Sequence, residues 1–358
     1  MALNRSWFTW TALAVLGLGV GLVAAWFSGA GLVRDGIDGW ARDWRDQGNF
    51  VTYGEIKVEG FPLAFRSHIA EPVIGRKNGE TPWQWRPPKG LTLTVKPWDI
   101  DHMVIGLGGL HRVRYTSRHG PRHIAVTAAS GRVRLGAGAN GANDLDLDAR
   151  TITAVPAGAG AKDAEGGLAI QQLILIASHQ PLAGADHRTP TANVSLGVLG
   201  ITLPKPGGQG QRRLPLGRRI DTVTLEATVL GPLAGRLGIG DIIKWRDDGG
   251  TVDIETLLVH WGPLNFSATG TLALDHDLQP LLAMTATITG FNQTIDALAA
   301  ARAIKARDAD TAKMLLSLLA KRPGGGGPAE LKIPLTVQDG KLFVGPVALM
   351  KVPRLKWF

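Results

Sequence analysis

The sequence predicts a mainly β protein: an extended, curved antiparallel sheet, open as a groove or partly closed as a barrel or sandwich, with an N-terminal transmembrane helix and one late helical insertion. Three observations predict it. From Ser6 to Val33 there is no Asp, Glu, Lys, Arg or His, and an apolar run longer than the roughly 20 residues a bilayer requires reads as a spanning helix. From Phe50 onward apolar residues recur at period two between Gly and Pro, which is the pattern of strands with one dry and one wet face. Strands and helices do not alternate along the chain, which argues against a doubly wound parallel sheet.

Residues 1–33 form the transmembrane signal anchor. Trp7 and Trp10 lie near one end of it and Trp26 and Phe27 near the other, where amphipathic rings favour the interface between headgroup and hydrocarbon. Arg5 and the amino terminus on one side, against Arg34 offset by Asp35 and Asp38 on the other, place the N-terminus in the cytoplasm. Ser28-Gly29-Ala30 also offers small residues to a signal peptidase, so the alternative is cleavage after Ala30. Gly17 and Gly21 have the spacing that lets two such helices approach closely. Residues 34–50 follow as a juxtamembrane amphipathic helix. Its stripe of Val33, Ile37, Trp40 and Trp44 rests either on the outer leaflet or on the domain's own core.

The β-rich body divides into an N-terminal portion (51–204), a basic Gly/Pro loop (205–219) and a C-terminal portion (220–358). Strands such as Arg112-Val113-Arg114-Tyr115, Arg132-Val133-Arg134-Leu135 and Leu145 to Thr153 alternate polar and apolar residues. The Gly-rich punctuation between them predicts hairpins. One clear helical region is expected at about 292–321. Asn292 caps it, Leu298, Leu315, Leu318 and Leu319 supply its apolar contacts, Asp308 and Asp310 are the place for a break, and Pro323 with the glycines after it ends it.

With no cysteine among 358 residues, disulfides, thiolate metal sites and a thiol nucleophile are excluded. A formal charge of +9 suits an anionic partner; the anchor makes that a lipid or glycan rather than nucleic acid. Between Asp101 and Asp144 there is no acidic residue, and Arg112, Arg114, Arg132 and Arg134 fall there as candidate headgroup contacts, because a guanidinium offers paired donors to a phosphate. The alternative for them is a solvated strand face. A similar acid-free stretch holds Arg212 and Arg213. Gly60-Phe61-Pro62 reads as a structural kink between paired strands, with Phe61 closing the near end of the core.

Catalytic patterns are sparse. The glycines from Gly136 to Gly141 precede the alternating Asp144, Asp146 and Asp148 rather than a helix, so they read as a hairpin turn and not a dinucleotide site. His119 and His123 straddle Gly120-Pro121 and have no evident third metal ligand. No cofactor, metal or catalytic residue is expected, and the protein is expected not to be an enzyme.

Three motifs in order, Val58-Glu59-Gly60-Phe61-Pro62-Leu63-Ala64-Phe65-Arg66, Gly270 to Asp275 with Ile288-Thr289-Gly290, and Pro334 to Gly340, resemble domain-of-unknown-function family 2125. That resemblance implies an alphaproteobacterial protein with an N-terminal membrane segment and no assigned activity. The strand-turn unit is more distantly similar to AsmA-like and TamB-like envelope proteins, which implies an inner-membrane anchor, a periplasmic sheet with an apolar groove, and a phospholipid or other anionic amphiphile as partner. The expected role is therefore lipid or amphiphile binding in envelope maintenance. The alternative is a scaffold that recruits an envelope protein or cell-wall polymer.

Overall fold

The computed structural model describes residues 5–77, 82–88, 90–117, 120–138, 141–157, 166–182, 184–205, 214–233, 238–322 and 327–355, with side chains from Leu16 onward. The chain forms two compact units, Met1–Ile124 with Arg132–Gly136, and Ala125–Gly131 with Ala137–Phe358. The fold is mainly β, with 19 strands among the described residues and antiparallel pairing in the ladders of both units.

The first unit opens with α1 (Arg5–Asp46), one unbroken helix of 42 residues. The anchor and the juxtamembrane helix of the sequence reading are thus a single rod, because no Pro interrupts it. Its second half is docked: Trp26, Ala30, Ile37 and Ala41 are buried. Polar contacts fix it along its length, with Arg34 Nη2 donating to the Ile56 carbonyl at 3.4 Å, the Tyr53 hydroxyl to Asp38 Oδ1 at 2.6 Å and Arg45 Nε to the Val51 carbonyl at 3.0 Å. Burial first, and then the Asp38 carboxylate, hold the Tyr53 phenol above its usual pKa.

The strands of this unit are β1 (Asn49–Thr52), β2 (Ile56–Glu59), β3 (Phe65–Ala70), β4 (Val73–Arg76), β5 (Trp83–Arg86), β6 (Gly90–Lys96), β7 (Asp99–Gly106), β8 (Gly109–Ser117) and part of β9 (Gly120–Ala137). One ladder runs β1–β4–β5–β8. The other runs β2–β3–β6–β7 and then residues 132–136 of β9. Ile37, Ile56, Ile69 and Leu91 form the core, with Trp85 of the first ladder and Ile105 of the second packed against it. A second cluster joins Trp26 and Ala30 of the helix to Phe65, with Val95 alongside.

The second unit is a meander. It comprises β10 (Asn143–Pro156), β11 (Leu168–His179), β12 (Pro190–Thr202), β13 (Arg219–Leu230), α2 (Ile239–Asp247), β14 (Thr251–Trp261), β15 (Leu264–Leu274), β16 (Pro280–Thr289), α3 (Phe291–Ala300), α4 (Ala306–Leu319), β17 (Leu331–Gln338), β18 (Lys341–Val344) and β19 (Val347–Lys351). From β10 on, each strand pairs with the one before it in the chain. No pairing among the described residues returns the last strands to the first, so this ladder is open.

The helices depart from the sequence reading. α2 is an additional helix, held by the buried Trp245, whose indole donates to the Leu230 carbonyl at 2.8 Å. The late insertion is two helices separated at residues 301–305, ahead of Asp308 and Asp310. Asn292 lies inside α3, while Gly290 is the cap: its φ is 70° and a Cβ there would stand 1.9 Å from the Pro263 carbonyl oxygen, so only glycine fits.

Candidate functional site

The registers of the meander stack its side chains into rows across the sheet. One row reads Leu147, Leu175, Leu196, Leu225, Leu257, Ala268, Ala286, Ile333 from β10 to β17. The row beside it reads Ala149, Leu173, Val198, Val223, Val259, Phe266, Ile288, Leu331. Both lie on one face, since alternate residues of a strand share a side. Over β15 and β16 that face is closed: Ala268, Met284 and Ala286 are buried. From β10 to β14 it is covered only in part: Ala149 and Val198 of the second row are buried, while each of the five leucines in the first row is half-buried and keeps solvent-reachable surface. Five neighbouring strands at about 4.8 Å put these leucines along about 19 Å of apolar surface, longer than the roughly 15 Å half of a bilayer's 30 Å core.

The opposite face is largely polar. Asp144, Asp146 and Asp148 lie on it as the alternation predicts, with Gln172 Nε2 donating to Asp148 Oδ1 at 3.3 Å; Ile176, Leu199 and Leu281 are exposed apolar exceptions. Two shallow depressions of about 330 Å³ and 210 Å³ are lined mostly from this side, by residues such as Thr269, Thr285, Thr287 and Lys332 in the first and Asn193, Ser195 and Thr228 in the second. Hydroxyls and charges suit water there better than acyl chains.

In the first unit, apolar groups surround the point where α1 leaves the body. Trp26 meets the rings of Phe61 and Phe65, each at 5.7 Å, and its indole donates to the Ala64 carbonyl at 3.3 Å. Around it Phe27 and Leu63 are 65% exposed, Trp98 65% and Ile100 70%. The register Phe65↔Val95 brings the β6–β7 hairpin, which carries Trp98, to the same end as the Gly60–Ala64 loop. From Ser6 to Ala25 the helix ahead of this collar has 20 residues, about 30 Å and so one hydrocarbon core. Over Leu16–Asp46, α1 is by length and composition a helix long and apolar enough to cross a membrane once.

Of the residues singled out from sequence, Gly60 has φ 103°, and a Cβ would stand 2.7 Å from the Ala64 carbonyl oxygen, so the kink requires glycine. Phe61 is 47% exposed and covers Trp26 from outside; the buried ring closing this end of the core is Phe65, because its strand position points inward. The four arginines fall into two separate pairs. Arg112 lies opposite Arg86, and Arg114 opposite Gln84, on the β5–β8 ladder. Arg132 and Arg134 lie opposite Gly106 and Val104 on the β7–β9 ladder.

All four are exposed. A hydrogen bond from His102, and after it the charges of His102 and Arg134, hold the Asp99 carboxyl below its usual pKa. His111, from the same basic stretch, is instead a core residue: it accepts from the Trp85 indole at 3.3 Å, and its other nitrogen lies 2.7 Å from the Leu107 carbonyl. Arg212, Arg213 and His119 lie outside the described residues, and His123 is exposed. Among the described residues no three His, Cys, Asp or Glu side chains gather as a metal site.

A family model for uncharacterized proteins conserved in bacteria, DUF2125, matches residues 26–353. The chain belongs to the DUF2125 family. The match opens at Trp26, the first docked residue of α1, and takes in both units. Within the DUF2125 body, Gly270 of the strand-turn motif faces β16 so closely that a Cβ would stand 2.2 Å from the Ala283 carbonyl oxygen, which gives that glycine a packing reason. No curated protein and no solved structure matches the chain.

Proposed function

We propose that this DUF2125 protein is anchored in the inner membrane by α1, with its body in the periplasm, and that the apolar face of β10–β14 holds the acyl chains of a phospholipid or another anionic amphiphile in envelope maintenance. The role is binding rather than catalysis. One observation carries it: five adjacent strands present a leucine row that the fold leaves partly open to solvent, where a soluble domain would close it with a second layer. Each methylene sheltered there contributes about 0.8 kcal/mol, so a chain of a dozen methylenes has ample driving force even after ordering costs are subtracted. The collar of Phe27, Phe61, Leu63 and Trp98 supports the anchor, since aromatic and apolar side chains exposed around a spanning helix favour the interface. The sheet face carries this reading without the four arginines, which lie in the first unit.

The test is native mass spectrometry of the full chain purified in mild detergent. Phospholipid retained at fixed stoichiometry after detergent exchange is the expected result. A lipid-free chain overturns the proposal, and a retained protein in place of lipid favours the scaffold alternative.

A further inference from the structure

α4 has two apolar sides, and only one of them is used. Ala309 is buried and Ala312 and Leu316 are half-buried on the packed side. Lys313 Nζ fastens the helix to α3 through Asp296 Oδ1 at 2.8 Å. On the other side Met314, Leu315, Leu318 and Leu319 are 69, 55, 74 and 65% exposed. From the sequence, Leu315, Leu318 and Leu319 are expected to supply apolar contacts of this helix. They point outward because the alanines and Leu316 already fill the packed side.

Met314 and Leu318, like Leu315 and Leu319, are one turn apart, so the four make a compact apolar patch on the last turns. Around it the segment 302–322 holds six cations, Arg302, Lys305, Arg307, Lys313, Lys321 and Arg322, against Asp308 and Asp310. Lys313 is engaged by Asp296 and Asp310, which leaves Lys321 and Arg322 just past the patch and Arg302, Lys305 and Arg307 at the other end of the helix, against Asp308 and against Glu330, which bridges to Lys321 through the backbone.

We infer that α4 is a membrane-docking helix that lies in the headgroup region of an anionic phospholipid bilayer, with its leucines toward the acyl chains and the flanking cations on the phosphates. A helix whose exposed apolar side chains are aliphatic or thioether, with cations at both of its ends, matches an interfacial helix. A protein partner's groove would more often be met by aromatic anchors, and α4 has none. The inference is independent of the proposed acyl-binding face, since α4 can dock whether or not the sheet holds lipid.

The absence of cysteine allows a single label. Thr311→Cys, on the outer side one turn ahead of Leu315, carries an environment-sensitive fluorophore in the full chain. The chain is reconstituted in vesicles of phosphatidylcholine alone or with one-third phosphatidylglycerol, and vesicles of the same lipid are also added from outside. The expected result is a blue-shifted probe, quenched by nitroxide-bearing lipid, only where phosphatidylglycerol is present. Leu315→Ser with Leu318→Ser should lower the docked fraction at least tenfold, because burying one leucine is already worth about a factor of ten. These residues are exposed, so circular dichroism should be unchanged. A probe that stays in water in anionic vesicles overturns the inference. So does shielding that is equal in detergent and in both lipids, which marks a protein contact or a second copy.

Discussion

Leu196 sits in the middle of the leucine row, between Leu175 and Leu225, and its chain neighbour Ser195 points to the opposite face. Placing the same glutamine at each position changes one face at a time. In Leu196→Gln the lost apolar contact is about 1.5–3 kcal/mol, and an amide pressed against hydrocarbon without a partner adds about 1–3 kcal/mol. The sum of roughly 2.5–6 kcal/mol corresponds to a loss of about two to four orders of magnitude in lipid retention. Ser195→Gln puts the amide in water and should leave retention within about twofold, a few tenths of a kcal/mol. Both full-length variants are purified in mild detergent, and bound phospholipid per chain is counted by native mass spectrometry alongside a thermal melt. Equal retention in the two variants, with melts unchanged, would refute the assignment of the acyl site to the leucine face. Loss in Ser195→Gln alone would move the site to the polar face.

Gly270→Ala forces a Cβ to 2.2 Å from a carbonyl oxygen of β16, and should cost about 2 kcal/mol or more by overpacking; Gly197→Ala in β12, where no atom lies within 4 Å, should be neutral by the same melt. Tyr53→Phe removes a hydrogen bond to a carboxylate and should lower stability by about 1–3 kcal/mol. Because the folded-state pKa of Tyr53 is raised, the contribution of the phenol's protonation is full below about pH 10, the unfolded value, and lost as pH rises through the higher folded value; a wild-type advantage that persisted undiminished at still higher pH would contradict this. Ser28-Gly29-Ala30 lies within docked helix, with Phe65 against Gly29, so protein extracted from membranes should keep its N-terminal segment. An intact mass beginning at Gly31 would show otherwise.

The strands from β10 to β17 were legible because one of their faces is wet: Leu145-Asp146-Leu147-Asp148 declares its pleat residue by residue. The four-residue strands β4 and β5 were not named, since two alternations are too few to distinguish strand from loop. α2 escaped notice although its signal is present, with Asp241 accepting from the Gly238 N–H at 3.0 Å and Lys244 and Arg246 in its last turn; a nine-residue helix among strands carries little periodicity. The outward turn of Leu315 and Leu318 was hidden for a different reason. Apolar spacing shows that residues share a side, but not that small alanines have already taken the packed one. Which arginines meet depended on Arg112 pairing with β5 and Arg132 with β7, and such long-range register has no local trace.

Because among the described residues each strand of the meander pairs only with its predecessor and successor, the second unit is assembled like a folding screen, one panel after another. Contacts close soon after each panel is added, so the pairing is local in sequence, which favours quick ordering. The same one-dimensional logic lets panels be inserted or removed without disturbing distant ones, so the breadth of this meander is a quantity that evolution can adjust in steps of one hairpin.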